Sequence, residues 1–119
     1  DADIIFVDLH AEATAEKMTF ANYFAPRVTA VIGTHTHVQT ADEQIINGCA
    51  YITDAGMCGV YASILGRDTE EVIARSIYNE STRYTPAQGP AVISGVLIDI
   101  DEKINRANRI ERIQIRPKG

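Results

Sequence analysis

The strongest constraint in the sequence is a β-branched apolar run, Val28-Thr29-Ala30-Val31-Ile32, that stops at Gly33-Thr34-His35-Thr36-His37-Val38-Gln39. Such a run reads as a buried strand. The glycine and the β-branched neighbours argue against a helix through the histidines. An earlier run, Ile4 to Val7, also reads as a buried strand and is followed by a polar loop, Asp8 to Thr14, that contains His10. Between the two runs the sequence predicts a helix from about Ala15 to Ala25. Thr14 would cap it, Glu16 would sit in its first turn, Phe20 and Phe24 would share a face, and Pro26 would stop it. A strand-helix-strand unit of this length makes a parallel crossover. Both strands then finish at one edge of a sheet, where α/β proteins build their sites. That edge gathers all three histidines of the chain.

The spacing of the histidines carries chemical information. In an extended segment, side chains at i and i+2 point the same way, so His35 and His37 could share a site; on a helix they would diverge by about 200°. The bland alternative for a bare His-x-His is a pair of hydrogen-bonded loop histidines. Three neutral imidazoles suit zinc, manganese or iron and leave coordination positions open for water and substrate, the pattern of a catalytic site. Asp8, Glu12 and Asp42 stand near the histidines in sequence and are candidates to accept their second ring N–H. The sequence has no phosphate loop, dinucleotide fingerprint or recognisable serine triad. On this chemistry alone the chain is a metal-dependent hydrolase or a metal-binding domain.

The remaining sequence is read as support. At 119 residues, 45% hydrophobic and 23% charged, the chain is one domain or a piece of one. It has no apolar stretch near 18 residues, hence no predicted membrane span. Its start, Asp1-Ala2-Asp3, has neither a methionine nor a signal-peptide pattern, which suggests a segment of something longer. A net charge of −5 argues against a non-specific nucleic-acid surface, so attraction for a phosphate would have to come from bound cations. Cys49 and Cys58 lack CxxC spacing and read as reduced thiols, both small core residues of a cytoplasmic protein.

Downstream, Thr40 to Glu43 suggests one helical turn. Gln44–Ile46 and Ala50–Thr53 read as a hairpin about Asn47-Gly48. Gly56 and Gly59 lie in a loop, either a flexible wall of the site or a connection needing positive φ. Asp68 and Glu71 form a capping box for a helix reaching about Tyr78, with an apolar stripe of Val72, Ile73 and Ile77. After a linker from Ser81 to Gly89, Ala91 to Asp101 is the longest strand candidate. A charged turn, Asp101 to Arg109, leads to a return strand, Ile110 to Ile115. There Ile113 and Ile115 would share one face, and Arg112, Gln114 and Arg116 a solvated one.

Three stretches together carry a family resemblance: Asp8-Leu9-His10-Ala11-Glu12-Ala13-Thr14, Gly33 through Asp42, and Tyr51-Ile52-Thr53-Asp54-Ala55-Gly56-Met57. They resemble the C-terminal half of a bacterial calcineurin-like metallophosphoesterase of the YmdB-type branch, which is similar to cyclic-nucleotide phosphodiesterases. Leu97 to Asp101 and Ile110 to Ile113 fit the same family. The resemblance implies an α/β sandwich of two facing mixed sheets flanked by helices, of which this chain, residues 1–119, would be a single partial domain. It implies two divalent ions (Mn, Fe or Zn) in the complete protein, His10 and His35 binding one and His37 the other. Asp8, Glu12, Thr36 and Asp42 become candidates for orienting ligands or substrate. It implies hydrolysis of a phosphodiester or cyclic nucleotide, in a family that often forms homo-oligomers. The family's N-terminal half, with its other ligands and proton donor, has no counterpart in this sequence, so the chain alone is expected to be weak or inactive. Two rivals are a non-catalytic metal- or partner-binding module and a mononuclear three-histidine zinc enzyme on an unrelated fold.

Overall fold

The parallel crossover forms. In a computed structural model that describes residues 2–118, strand β1 (Phe6–His10) pairs in parallel with β2 (Ala30–Thr34), and helix α1 (Thr14–Phe24) connects them. Asp1 and Gly119, the ends of the expected partial domain, lie outside the described residues. A hairpin follows, β3 (Gln44–Ile46) and β4 (Cys49–Ile52), and β4 joins β2 in parallel. The first sheet is therefore mixed, in the order β1-β2-β4-β3. Asn47 and Gly48 adopt φ of 46° and 76°, the left-handed pair that a two-residue hairpin turn requires.

A second, antiparallel sheet contains β5 (Gly59–Val60), β6 (Ala91–Asp101) and β7 (Arg106–Ile115) in that order. The two sheets lie face to face. Alternation along the strands sorts the core into two layers. Val31, Cys49 and Tyr51 pack with Ala21 and Ala25 of the α1 segment, while Ala30, Ile32, Ala50 and Ile52 pack with Val96, Ile98, Ala107 and Ile110 of the second sheet. The first sheet is thus the middle layer of an α/β/β sandwich. Helix α2 (Thr69–Ser76) stands apart and buries none of its residues. No helix among the described residues is long and apolar enough to cross a membrane.

Several local expectations shift for identifiable reasons. Pairing with β2 carries β1 on to His10, opposite Thr34, so His10 ends the strand instead of lying in a loop after it. β1 is also not buried. It is the sheet edge, and Ile4, Ile5 and Phe6 are exposed. The second strand runs Ala30–Thr34, so Gly33 is inside it. Thr14 is the first residue of α1, and Ala13 occupies the cap position with no side-chain bond. Thr40 to Glu43 is not helical, because Thr40 and Thr53 take up the Asp42 carboxylate. Only half the capping box forms. Asp68 accepts from the Glu71 N–H, but the Glu71 carboxylate turns to Arg67 and Thr82, and the helix stops at Ser76.

The return strand starts at Arg106, leaving only residues 102–105 in the turn. A bulge at Asp99/Ile100 then alters its facing. One extra residue flips the parity, so Ala107 and Ile110 both point inward, and Arg112 and Gln114 follow Ile110. Arg112 stays exposed as expected but pairs with Glu43 on that inner side, and Ile115 is exposed. Cys49 is buried, and burial pushes its thiol pKa up. Cys58 is exposed, contrary to its reading as a core residue.

Candidate metal site

β1 and β2 end side by side, and this juxtaposition sets the site. In the parallel register His10 lies opposite Thr34, the residue before His35. His10 Nε2 and His35 Nδ1 come within 3.3 Å, with the rings edge-on and 5.1 Å between centroids. His10 Nδ1 lies 3.1 Å from Thr34 Oγ1, and the Thr34 hydroxyl donates to Asp8 Oδ1 at 3.3 Å. A hydroxyl has one proton to give. With that proton committed to the carboxylate, His10 must donate from Nδ1, which leaves a lone pair on Nε2 aimed at His35.

His37 is arranged separately. Its Nδ1 lies 3.1 Å from the Leu65 carbonyl, which can only accept, so Nδ1 carries the proton and Nε2 the lone pair. All three rings are exposed. The expectation that His35 and His37 project together from an extended segment fails. Their φ angles are 143° and 64°, and the segment is bent. Both values lie where residues with a Cβ are strained, and such strain persists only where surroundings impose it.

The surroundings here are polar and buried. Lys17, on α1, is fully buried, and its Nζ donates to the carbonyls of Thr34 (2.9 Å) and Thr53 (3.2 Å) while lying 3.6 Å from Asp54 Oδ2. Asp54, 1% exposed, accepts from the Thr36 N–H at 2.7 Å and from the Gly56 N–H at 2.9 Å. Gly33 makes room: a Cβ there would lie 1.8 Å from the Thr53 carbonyl oxygen. The Gln39 amide nitrogen lies 3.0–3.2 Å from the carbonyls of Ala55, Gly95 and Ile113, tying the turn to the second sheet. Gly56 has φ of 81°, so its loop is a connection that needs positive φ.

The other candidates take different places. Asp8 orients His10 through Thr34. Thr36 uses its hydroxyl on Val38 and its N–H on Asp54. Glu12 is exposed. Asp42 spends its carboxylate on Thr40 and Thr53. Burial pushes its pKa up, but hydrogen bonds from Thr53 and Thr40 outweigh this and hold it below the ordinary aspartate value. Sequence reasoning missed Lys17, Gln39 and Asp54. A cavity of about 180 Å³ adjoins His37, walled by Val38, Met57, Tyr61, Leu65 and Val92. A larger hollow of about 450 Å³ lies along α1 over Phe20, Tyr23 and Phe24 and includes no histidine.

The donor set fits a cation. Two nitrogens on one tetrahedral ion at about 2.0–2.1 Å stand about 3.3 Å apart, the separation found between His10 Nε2 and His35 Nδ1. Among the described residues, no three His, Cys, Asp or Glu side chains converge closely enough to hold an ion unaided.

A two-sheet α/β sandwich with histidines at adjoining strand ends defines the class, and comparison with known proteins narrows it. Residues 1–113 match the family described as YmdB-like protein, and the chain belongs to that family. It is 54% identical over 112 residues to the 2',3'-cyclic-nucleotide 2'-phosphodiesterase of Bacillus subtilis (strain 168), covering 93% of this chain and 42% of that protein. The crystal structure of a novel phosphatase from Mycoplasma pneumoniae superposes with a TM-score of 0.90 at 38% identity, covering 97% of this chain and 42% of that one. The crystal structure of a hypothetical protein from Thermus thermophilus gives 0.88 at 38% identity, covering 97% and 45%. The chain therefore spans less than half the length of these relatives. These likenesses set aside the reading of a three-histidine enzyme on an unrelated fold.

Proposed function

We propose that the complete protein hydrolyses a cyclic phosphodiester of the 2',3'-cyclic-nucleotide class in the cytoplasm, and that this chain supplies the three-histidine part of a dinuclear metal site. The observation that carries the reading is the convergence of His10 Nε2 on His35 Nδ1, with the His10 lone pair fixed by the Asp8–Thr34 relay. His10 and His35 would hold one ion and His37, through Nε2, the other; manganese, iron and zinc all suit these donors. Such ions supply activated water and charge stabilisation on phosphoryl oxygens.

The chain's own residues orient and hold. Asp8 and Thr34 fix the His10 tautomer, Leu65 fixes that of His37, and Asp54 holds the backbone between His35 and His37. The cavity beside His37 accommodates the part of the substrate flanking the phosphate. In the net reaction a water oxygen joins phosphorus, the bond from phosphorus to the sugar oxygen breaks, and that oxygen takes a proton. Glu12 and Thr36 lie at the same sheet edge, where substrate approaches.

The test is hydrolysis of a 2',3'-cyclic nucleotide by the full-length protein with manganese, iron or zinc, beside His37→Ala and beside the 119-residue chain. We expect metal-dependent turnover by the full-length protein, a loss of about 100-fold or more in His37→Ala, and little or none from the chain alone. Metal-independent turnover that His37→Ala leaves unchanged would defeat the reading. One observation favours the second reading, a non-catalytic metal- or partner-binding module: no three ligand side chains converge among the described residues. On that reading the full-length protein binds metal and turns nothing over.

A further inference from the structure

We propose that Lys17 and Asp54 are positioning residues: a buried ionic clamp that imposes the bent backbone on which His35 and His37 are presented. The proposal extends the metal reading above and rests on it for its consequence, though not for its geometry.

The clamp grips the turn at two successive points. Lys17 Nζ holds the Thr34 carbonyl, immediately before His35. Asp54 Oδ2 holds the Thr36 N–H, between the two histidines. His35, at φ 143°, is thus bracketed by two charge-assisted hydrogen bonds, and His37, at φ 64°, begins where the second ends. Neither group touches an imidazole. The same lysine also holds the Thr53 carbonyl, so the turn is registered against the end of β4. Both charges are satisfied: no buried side-chain nitrogen or oxygen among the described residues lacks a partner.

The placement is costly unless it is used. A buried ion pair seldom adds stability over a neutral pair of similar volume, since desolvation offsets the attraction. Lys17 lies in register with Ala21 and Ala25, the stripe that α1 turns to the sheet, where an apolar residue would serve packing as well. A lysine there reaches the sheet edge, as an apolar chain cannot, and binds two carbonyls. Gly33 completes the device by letting the Thr53 carbonyl pass beside β2.

The experiment uses the full-length protein, with Lys17→Met/Asp54→Asn as the main variant and Ile52→Ala as a control that weakens the same sheet without touching the clamp. Manganese affinity is measured by calorimetric titration, hydrogen exchange at the Thr36 amide by NMR, and global stability by urea unfolding. The double variant removes both charges together and so leaves none buried and unpaired. We expect it to lose about tenfold or more in manganese affinity, the scale seen when a ligand's orienting partner is removed. We also expect faster exchange at Thr36, beyond any change in urea midpoint. The control should shift the midpoint and spare both other readouts.

Affinity within about twofold of the unsubstituted protein would overturn the proposal, as would losses that merely track stability in both variants. Should the double variant not fold, the unsubstituted protein decides. A Thr36 amide protected from exchange supports the clamp, and one exchanging at open-chain rates overturns it. No manganese binding by the unsubstituted protein would instead overturn the metal reading, while the exchange arm still reports on the clamp.

Discussion

The two sheets differ in what surrounds them. The central strands of the first, β2 and β4, are buried on both faces, under α1 on one side and the second sheet on the other, and Ala30, Val31, Ala50, Tyr51 and Ile52 are all 1% exposed or less. The second is covered on one face only. On its outer side Ile93, Leu97 and Ile115 are more than half exposed. The radius of gyration is 17.2 Å, against about 13.5 Å for a compact domain of this length. The His35–His37 turn leaves β2, which protein encloses, while His10 ends the exposed edge strand β1; the second sheet acts as the cover of β2 and β4. The contrast shows why the histidine turn can hold strained backbone: it leaves a layer whose position is fixed from both sides.

Two glycines test the contrast most sharply. Gly33→Ala would set a Cβ 1.8 Å from the Thr53 carbonyl oxygen and 3.1 Å from Lys17 Cδ, and no rotamer change can relieve a clash with backbone. The strands would have to part where Ala55 N–H bonds the Gly33 carbonyl. We expect a loss of about 3 kcal/mol in urea unfolding, at the upper end for overpacking. An unchanged midpoint would mean that this edge yields, and the rigidity assigned to it would go with it.

Legibility followed the reach of the interactions. The Asn47-Gly48 turn and the bounds of β6 were readable because turn chemistry and strand pattern are local. The meeting of His10 with His35 was readable from the crossover alone. The turn's own shape was not, since it depends on Lys17 and Asp54, 37 positions apart in sequence. A signal for Lys17 was present: it shares the i, i+4, i+8 stripe with Ala21 and Ala25, whereas Phe20 and Phe24 mark a neighbouring face that packs only partly. The facing of β7 was lost at a bulge that no residue type announces, and the buried face expected for β1 was lost because that strand is an edge.

Asp42, in the loop before β3, offers an intermediate effect where that loop is tied to the end of β4. Its carboxylate accepts from Thr40 and from both the N–H and hydroxyl of Thr53, which together hold its pKa below the ordinary value of 3.8 despite burial. A depressed folded-state pKa contributes stability that is fully present above the unfolded value and is lost as pH falls through the folded one. Asp42→Asn should therefore cost about 1–2 kcal/mol at pH 7, and its deficit should shrink as pH is lowered below 3.8. Urea midpoints for both proteins across pH 7 to 3 test this; a deficit that grows on acidification would reverse the assigned shift.

The smallest effect is expected at Gly95, the counterpart of Gly33 in the covering sheet. A Cβ there meets nothing within 4 Å, and its φ is not among the positive ones. It lies in β6 on the same side as Ile93 and Leu97, where protein covers neither. Replacing glycine within a strand reduces the backbone entropy lost on folding. Gly95→Ala should thus be neutral or gain up to about 1 kcal/mol, with manganese affinity unchanged. The Gly95 carbonyl would keep its bond from Gln39, which reaches backbone and not side chain. A clear loss of stability would show that something packs on this outer face in the full-length protein. The two sheets would then be enclosed alike, and the distinction between a fixed chemical layer and its cover would not hold.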